Sequence, residues 1–574
     1  MSVGGKMSVR LFSVAAFAFF AVALGARCGH AAGEDGKETD ALKYLPVQEA
    51  GRVKPFDSFA RESMQLIYGK QTFTSAGGLK RPAREVVMTW MLAPQFWNEQ
   101  QIVQINHQGL KEALLLDKER TYFSPAELFR NERFPLVIQE LGAKREAKEK
   151  LGPYYQSAQR LESALGLYEA IKNGTGVHAV PPATGDKWIA VSELKGEGRD
   201  RFMTMARALI HSLPRRDDGG KDGVVPPADP GAAEISLAQA VEELSAYGHR
   251  VNAAAYGSQR DIELEVLYND LHPFMLAWSL YLLTALIAAF AWHLGSRWGY
   301  RAAWVAAVCA FSVHTFGFGL RIFLTGRPPV SNMYESVIWV SWGAVLFSLV
   351  FEAIRRKRYP MVAGSVVAVI CLIVADMAPA ILDQSLQPLE PVLRSNYWLT
   401  IHVLTITLSY SAFFLAWGLA NIGLGFVLRG DKPAGERVRD IVQSVYRAIQ
   451  VGTVLLAAGT ILGGIWADYS WGRFWGWDPK ETWAFIALLG YVAILHGRLG
   501  GWIHGFGILA SAVISFSLVI MAWYGVNYVL GAGLHTYGFG AGGVQYVGGF
   551  VILNLIYVGY VAFIRAQREK VKAS

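Results

Sequence analysis

Long apolar stretches alternate with short polar connections through the second half of the chain. Nine such stretches follow one another after Leu271. A helix needs roughly 20 apolar residues to cross the hydrocarbon core of a bilayer, and a helix satisfies its own backbone hydrogen bonds there. The pattern therefore predicts about nine transmembrane helices, near residues 272–294, 303–324, 333–354, 361–382, 396–428, 448–467, 481–498, 505–529 and 546–566.

The first part of the chain has a different pattern. Lys6 and Arg10 precede an apolar run from Leu11 to Ala26, so residues 1–33 are typical of a signal peptide or N-terminal anchor. Residues 34–270 contain no apolar run long enough to span a bilayer, and parts of them are amphipathic at helical spacing. We therefore predict an all-α polytopic membrane protein with three parts: the N-terminal segment, a mainly helical exported domain at 34–270, and a transmembrane domain at 271–574.

Basic residues fall on every second connection between the predicted helices. They occur at 297–301, 355–358, 429–439, 498 and 565–572. The positive-inside rule assigns these connections to the cytoplasm. The exported domain and the remaining connections, 325–332, 383–395, 466–483 and 530–545, should then share the periplasmic face of the cell inner membrane.

Composition excludes several functions. Mean hydropathy is +0.26 and only 17% of residues are charged, as expected for an integral membrane protein with a soluble portion. The three cysteines, Cys28, Cys309 and Cys371, form neither C-x-x-C nor C-x-x-C-H, so a dithiol carrier and a chain with its own covalent c-type heme are excluded. The chain has no phosphate-binding G-x-x-x-x-G-K-[ST] loop, which argues against an ATP-driven motor. We expect no nucleic-acid partner.

One predicted periplasmic connection is unusually rich in tryptophan. Five of the 18 tryptophans lie in the run WADYSWGRFWGWDPKETW, which we call the tryptophan loop (residues 466–483). An interfacial belt needs only one or two such residues. A dense aromatic surface held by glycine turns suits a large, flat, hydrophobic ligand. The candidate binding residues are Trp466, Trp471, Trp475 and Trp477.

The predicted topology makes four histidines candidates for a functional role. His402 and His535 lie near the plane of the tryptophan loop, and two imidazoles there could bind one iron from opposite faces of a porphyrin. His496 lies fifteen residues after Glu481, about 22 Å further along a helix and towards the cytoplasm. His314 lies near the middle of its helix, where an ionisable group is expensive and usually functional. The alternative for histidines near helix ends is an interfacial or capping role.

Charged residues near the same face would suit an acidic ligand. Arg321 and Arg473 are candidates to pair with carboxylates through their guanidinium groups. For Arg327 and Lys480, ordinary surface charge is the better interpretation. Asp478 could be a general acid or bind the ligand, but its place before Pro479 favours an N-cap.

Several of these segments match a known family. W-G-R-F-W-G-W-D-P-K-E-T-W-A resembles the WWD signature of the heme-handling proteins of cytochrome c maturation, and GRPPVSNMYES, HVLTITLSYSAF and GLHTYG are similar to the CcsA (ResC) branch of the type II system. The resemblance covers about 270–567. It implies that His402 and His535 are the paired external heme ligands and that His496 belongs to an intramembrane heme site. It also implies non-covalent heme b as both ligand and substrate.

The resemblance implies the activity of a cytochrome c synthase (heme lyase-type) subunit. Such a subunit brings heme to apo-cytochrome c, so that thioether bonds form to the C-x-x-C-H thiols, and no residue of the chain is catalytic in the covalent sense. The family works with a ResB (CcsB) component, whose leading membrane helices this sequence does not show. We therefore expect a separate ResB/CcsB-like partner and a thiol-reducing thioredoxin-like protein. The second intramembrane ligand stays open between His314 and the partner.

Two other functions stay open at this point. A b-type electron carrier would need two histidines on facing helices at matched depth, and the tryptophan loop would have no role. A non-enzymatic porphyrin transporter would carry heme without forming thioether bonds.

Overall fold

The computed structural model describes residues 39–75, 78–147, 149, 151–213, 235–378, 381–386, 395–531 and 542–573. They form two compact units: one contains the described residues up to Leu271 together with 385–386, and the other contains the remaining described residues from His272 onward. The predicted signal or anchor at 1–33 lies outside the described residues.

The polar unit, residues 39–271, is mainly helical and also contains three small antiparallel sheets. The largest has the strand order β2-β1-β7-β8. Its strands are β1 (Pro46–Glu49), β2 (Arg52–Pro55), β7 (His178–Val180) and β8 (Ile189–Ala190), and the two-stranded sheets join β3 (Thr72–Thr74) to β4 (Lys80–Pro82) and β5 (Val103–Gln104) to β6 (Tyr122–Phe123). The helices are α1 (Phe56–Ile67), α2 (Ala83–Leu92), α3 (Pro94–Glu99), α4 (Gln108–Ala113), α5 (Pro125–Phe129), α6 (Phe134–Glu146), α7 (Pro153–Lys172), α8 (Gly196–Ser212), α9 (Leu237–Val251), α10 (Ala253–Tyr256) and α11 (Gln259–Leu271).

The β1–β2 hairpin and α1 show how local sequence builds this unit. Glu49 pairs with Arg52, so the connection is a two-residue turn. Both turn residues, Ala50 and Gly51, have positive φ, which matches the right-handed twist of the strands. The strands were not predicted, because alanine is a weak signal for such a turn. Helix α1 follows, and its residues at helical spacing, including Phe56, Phe59, Ala60, Met64 and Ile67, are buried in the core.

The membrane unit confirms the predicted fold class. Among the described residues, nine helices are long and apolar enough to cross a bilayer. They are α12 (Pro273–Leu294), α13 (Arg297–Thr325), α14 (Met333–Arg355), α15 (Tyr359–Met377), α16 (Asn396–Arg429), α17 (Glu436–Trp471), α18 (Pro479–Leu499), α19 (Gly505–Leu530) and α20 (Val544–Ala573).

Two helix ends differ from the sequence prediction. Helix α15 ends at Met377, five residues before the predicted end at 382. Pro379 explains this, because proline disfavours the helical conformation in the residue before it. Helix α17 begins at Glu436, twelve residues before the predicted start at 448. Its first turns are amphipathic, with Val438, Ile441, Val442 and Val445 buried, so hydropathy alone misses them.

Small residues let three of these helices pack closely. Gly364 of α15 lies against Ser348 of α14, and Gly343 of α14 lies against Ser411 of α16. A Cβ atom added at either glycine would overlap the facing serine. Helices in lipid gain little from hydrophobic burial against each other, so close backbone approach and van der Waals contact hold them together.

Substitution of Gly364 by leucine should therefore destabilise the membrane unit. We expect a loss of about 1–3 kcal/mol or more, as is typical of overpacked cores, measured by thermal unfolding of the detergent-purified protein. Gly548→Leu on α20 is the matched control, because a Cβ atom there meets no other atom within 4 Å. Equal melting temperatures for the two variants would contradict this account of the packing.

Candidate functional site

A cavity of about 170 Å³ lies at one end of the membrane unit. It is enclosed by the first turns of α14, α16 and α18, the last turns of α17, and the final segment of α19. This volume is below the roughly 300–1,000 Å³ typical of small-molecule pockets, so a large flat ligand would lie partly outside the enclosed space. The lining residues are Val330, Ser331, Asn332, Met333, Ser336, Leu399, His402, Val403, Ile406, Thr407, Tyr410, Thr460, Gly463, Gly464, Trp466, Trp475, Lys480, Glu481, Ala484, Trp523 and Asn527.

His402 lies on the cavity wall in an irregular part of α16. Residues Leu399–Val403 form a π-helical turn, a feature common at functional sites. The Nδ1 atom of His402 is 2.8 Å from the carbonyl oxygen of Gly459 on α17. A carbonyl oxygen can only accept, so Nδ1 carries a proton, and in the neutral imidazole Nε2 then carries the lone pair. Metal-binding histidines are typically oriented by such a bond from their other nitrogen.

The facing helix makes room for this imidazole with glycines. A Cβ atom at Gly463 would lie 2.7 Å from Cε1 of His402, and one at Gly459 would lie 2.7 Å from Cβ of Ile406. Both distances are too short for real contacts, so only glycine permits the two helices to approach this closely. The ring of Trp466 then stands edge-on to His402, with centroids 5.7 Å apart.

Of the four candidate tryptophans of the tryptophan loop, two line the cavity and two do not. Trp466 and Trp475 line the cavity. Trp471 lies beneath the Arg473 guanidinium, 5.7 Å from the ring centroid, and is not part of the lining. Trp477 packs edge-on against Trp475 but is 70% exposed and also outside the lining. Its backbone has a φ of 56°, a conformation that is rare for a large side chain.

The end of the tryptophan loop is held by its own polar groups. Asp478 caps α18 by accepting from the amide of Lys480 at 2.9 Å, and Pro479 occupies the first helical position. Glu481 completes a capping box and accepts from the amides of Gly476 at 2.8 Å and Asp478 at 3.2 Å. The N-cap prediction for Asp478 is confirmed. Its carboxylate is not among the groups that line the cavity.

The structure does not bring the two predicted arginines to the cavity. Arg321 is fully buried, and its Nε donates to Oε1 of Glu335 at 2.9 Å, while Arg327 lies 3.1 Å from Oε2 of the same carboxylate. Glu335 lies in the first turn of α14, too far along the chain for the pairing to be visible in the sequence. Arg473 lies 3.7 Å from Glu481. Both guanidinium groups lie next to protein carboxylates, so the geometry does not support the predicted pairing of Arg321 and Arg473 with carboxylates of a ligand.

The buried ion cluster nonetheless shapes the cavity. Oε2 of Glu335 also accepts from the amide of Ser331 at 2.8 Å and from its hydroxyl at 2.7 Å. Arg321 in addition donates to the carbonyl of Gln384 at 3.0 Å. Because Ser331 and its neighbours Val330 and Asn332 line the cavity, Glu335 positions one of its walls.

The other predicted histidines lie elsewhere. His496 is exposed in the last turn of α18, where its Nδ1 bonds the Val492 carbonyl at 2.9 Å, remote from the cavity. His314 is fully buried against Tyr281, whose hydroxyl is 3.2 Å from Nδ1, and its ring stacks on Phe318 at 5.3 Å. His535 lies outside the described residues.

Sequence reasoning missed two aromatic residues of the wall. Trp523 lies in the π-helical segment Met521–Leu530 of α19, and its indole N–H donates to Ser336 at 2.9 Å. Tyr410 lies 6.0 Å from Trp523 by ring centroids. Both lie within apolar stretches, where nothing in the sequence distinguishes a cavity wall from lipid contact.

Comparison with known proteins gives consistent matches. The family model of the cytochrome C assembly protein matches residues 330–535, a range that contains every lining residue. The chain is similar to Protein NrfI of Wolinella succinogenes, with 27% identity over 508 residues, covering 85% of this chain and 53% of that protein. It is 36% identical over 250 residues to the cytochrome c biogenesis protein CcsA of Prochlorococcus marinus (strain MIT 9301), covering 38% of this chain and 78% of that protein.

The matched region is thus about half the length of NrfI and most of the length of that CcsA. Among solved structures, cytochrome c heme lyase CcmF aligns with a TM-score of 0.36 and 17% identity, covering 51% of this chain and 50% of that one. That agreement is too slight to carry an argument.

Substitution of Glu335 by glutamine should destabilise the protein strongly. It would leave the charge of fully buried Arg321 uncompensated, and breaking a buried ion pair from one side costs about 3–5 kcal/mol. Chemical or thermal unfolding in detergent measures the loss. Glu569→Gln is the matched control, because its pair with Arg565 at 2.8 Å is exposed and worth at most about 0.5 kcal/mol. If the two variants were equally stable, the buried cluster would not hold the cavity wall.

Proposed function

Because the chain belongs to the CcsA family of cytochrome c biogenesis proteins, we propose that it presents heme for covalent attachment to apo-cytochrome c. The observation that carries this proposal is the imidazole of His402, oriented by the Gly459 carbonyl so that its lone-pair nitrogen is Nε2, on the wall of an aromatic cavity. A nitrogen ligand next to large aromatic surfaces is the chemistry that an iron porphyrin requires.

The residues of the cavity would act by binding and positioning. Nε2 of His402 is the proposed axial ligand. Trp466, Trp475, Trp523 and Tyr410 would pack on the ring and exclude water. The porphyrin supplies two vinyl groups, and each cysteine thiol of apo-cytochrome c adds its S–H across one vinyl double bond, forming one C–S and one C–H bond without an external oxidant. No residue of this chain forms a covalent bond, so its contribution is orientation.

Two further histidines complete the proposed route. His535 is the proposed second axial ligand of the same site, on the basis of the GLHTYG motif. His496 is proposed to belong to an earlier heme site used for uptake. Its exposed position near the opposite end of α18 supports a contact outside this chain, such as the proposed ResB/CcsB-like partner.

The side of the membrane follows from the charge pattern. The cavity lies at the end of the unit formed by connections without basic clusters, and Arg355, Arg356, Lys357 and Arg358 lie at the other end of α14. The positive-inside rule supports a periplasmic cavity in the inner membrane. Residues 34–270 would be exported to the same side, where apo-cytochrome c and the thioredoxin-like reductant act.

The described histidines do not favour the electron carrier. That function needs two histidines on facing helices at matched depth, and within the described part of the chain His402 is the one histidine on the cavity wall. The porphyrin transporter shares the binding site with the proposed function. Formation of thioether bonds distinguishes them.

The main test is His402→Ala. The purified wild-type protein should contain six-coordinate, non-covalent heme, and the variant should lose or alter that visible spectrum. Holocytochrome c formed in cells lacking the wild-type gene should fall at least about tenfold, the order of effect seen when metal-site support is lost. Added imidazole should restore part of the spectrum and activity.

His293→Ala, an exposed histidine at the far end of α12, is the matched control and should behave as wild type. Full maturation by His402→Ala would refute the axial-ligand role. Loss of the spectrum with normal maturation would favour a carrier over a synthase subunit.

The division of the tryptophan loop gives a second test. Trp475→Ala should weaken heme retention by about 0.5–1.5 kcal/mol or more, because it removes an aromatic surface from the cavity wall. Trp477→Ala, two residues away and 70% exposed, should retain heme nearly as wild type does. Heme content per protein after size-exclusion chromatography measures both. The reverse order would mean that Trp477, and not Trp475, is in contact with the ligand.

A further inference from the structure

A second cavity lies at the opposite end of the membrane unit, the end that carries the basic connections. Its volume is about 580 Å³, within the roughly 300–1,000 Å³ typical of small-molecule pockets. It lies where the last turn of α12 and the start of α15 meet the connection between α16 and α17. One part of its wall is aromatic and the rest is formed mainly by charged side chains.

The aromatic part of the wall places this cavity at the level of the membrane surface. The ring of Trp292 packs against Tyr359 and Phe426, with centroids 6.0 and 5.5 Å away. Two residues later, Leu294 ends α12 with 60% of its surface exposed, so the lipid-facing side of this helix reaches the same depth. Tryptophan and tyrosine are enriched in the layer in which lipid headgroups lie. The cavity is therefore within reach of a headgroup.

Four charged side chains of the wall compensate one another in two pairs. Lys357 donates to Asp440 at 2.6 Å, and Arg437 donates to Asp431 at 3.2 Å. These pairs join the connection before α15 to α17, and the start of α17 to the end of the α16–α17 connection. They leave no net charge for a ligand.

Lys432 and Glu436 are the other charged groups of the wall. Among the described residues, the side chain of neither forms a hydrogen bond or an ion pair. The pKa of Lys357 is raised chiefly by its hydrogen bond to Asp440, and Glu436 adds a smaller effect across a longer distance. Two solvated surface charges would account for Lys432 and Glu436 alone, but not for the aromatic cavity beside them. The wall thus presents one cation and one anion to a ligand.

This arrangement favours a zwitterionic ligand. A purely anionic ligand would be repelled by Glu436, and a purely cationic one by Lys432. A phosphate group can accept from the Lys432 ammonium, and a primary ammonium can donate to the Glu436 carboxylate. A choline group carries the same charge as a primary ammonium but has no N–H to donate.

We propose that this cavity binds the headgroup of phosphatidylethanolamine, with the phosphate at Lys432, the ammonium at Glu436 and the glycerol end against Trp292. Basic pockets between transmembrane helices bind lipid headgroups on the cytoplasmic side of membranes. Here the carboxylate makes the pocket selective for a zwitterionic headgroup over an anionic one. A lipid held in this way joins α12 and α15 to the connection between α16 and α17, the two helices that hold His402 at their other end.

Lipid retention tests this site. Delipidated, detergent-purified full-length protein is mixed with equal amounts of phosphatidylethanolamine, phosphatidylcholine and phosphatidylglycerol of the same acyl chains. The lipids that remain bound after size-exclusion chromatography are counted by mass spectrometry. Wild type should retain phosphatidylethanolamine about tenfold more than phosphatidylcholine, the effect of one hydrogen bond to a charged group. Glu436→Gln should lose this preference, whereas Lys432→Met should retain less of both lipids, because both carry the phosphate.

Glu569→Gln and Lys570→Met on α20 are the matched controls, because they make the same changes at exposed residues of the same end of the unit, outside the cavity wall. Thermal unfolding without lipid checks that all variants are folded. Equal retention of the two zwitterionic lipids by wild type, or a Glu436→Gln protein that keeps the preference, overturns the inference. Preferential retention of phosphatidylglycerol would show an anion site, and full displacement by an equal concentration of glycerophosphoethanolamine would show a soluble ligand. Either result also overturns it.

Discussion

The close approach of helices α16 and α17 is the contact on which the cavity depends. Gly452, Gly459 and Gly463 of α17 face Phe413, Ile406 and His402 of α16, and a Cβ atom at any of these glycines would lie within 2.6–2.7 Å of the facing side chain. The short separation brings the Gly459 carbonyl within 2.8 Å of His402. This bond places a proton on Nδ1, so Nε2 is the nitrogen of the neutral imidazole that can bind a metal. Packing and chemistry are thus set by the same row of glycines.

Polar groups define the remaining walls from two sides. On α14, the buried carboxylate of Glu335 joins two arginines to the Ser331 turn. On α18, the capping box of Asp478 and Glu481 ends the tryptophan loop and starts the helix. Each cluster satisfies charges and amides that would be costly to leave unpaired in an apolar setting. The consequence is a frame of satisfied polar groups around the cavity, with the His402 imidazole on its wall.

The sequence was sufficient for the helices and for the region of the site, but not for its side chains. Runs of about 20 apolar residues are a strong physical signal, and all nine predicted stretches correspond to helices among the described residues. The predictions for Arg321 and Lys480 did not anticipate the geometry, because Glu335 and Trp523 meet them only through tertiary packing. Trp475 and Trp477 cannot be distinguished from the sequence. In the structure Trp475 lines the cavity, whereas Trp477, which has a positive φ, is exposed. Trp523 lies in an apolar stretch with no local signal, and Tyr410 lies in the HVLTITLSYSAF segment without being distinguished there from its apolar neighbours.

Two π-helical segments meet at this one cavity, Leu399–Val403 in α16 and Met521–Leu530 in α19. A π turn inserts one residue into a helix and displaces carbonyls from their usual partners, so in an apolar environment it needs compensation. Here the carbonyl of Trp523, in the second π segment, accepts from the side chains of Asn527 at 3.2 Å and Lys480 at 3.4 Å. The His402 side chain, in the first π segment, bonds to the Gly459 carbonyl of α17. Without the inserted residue, each side chain after it would lie on another face of the helix. The irregular backbone therefore sets which side chains of α16 and α19, His402 and Trp523 among them, lie on the cavity wall.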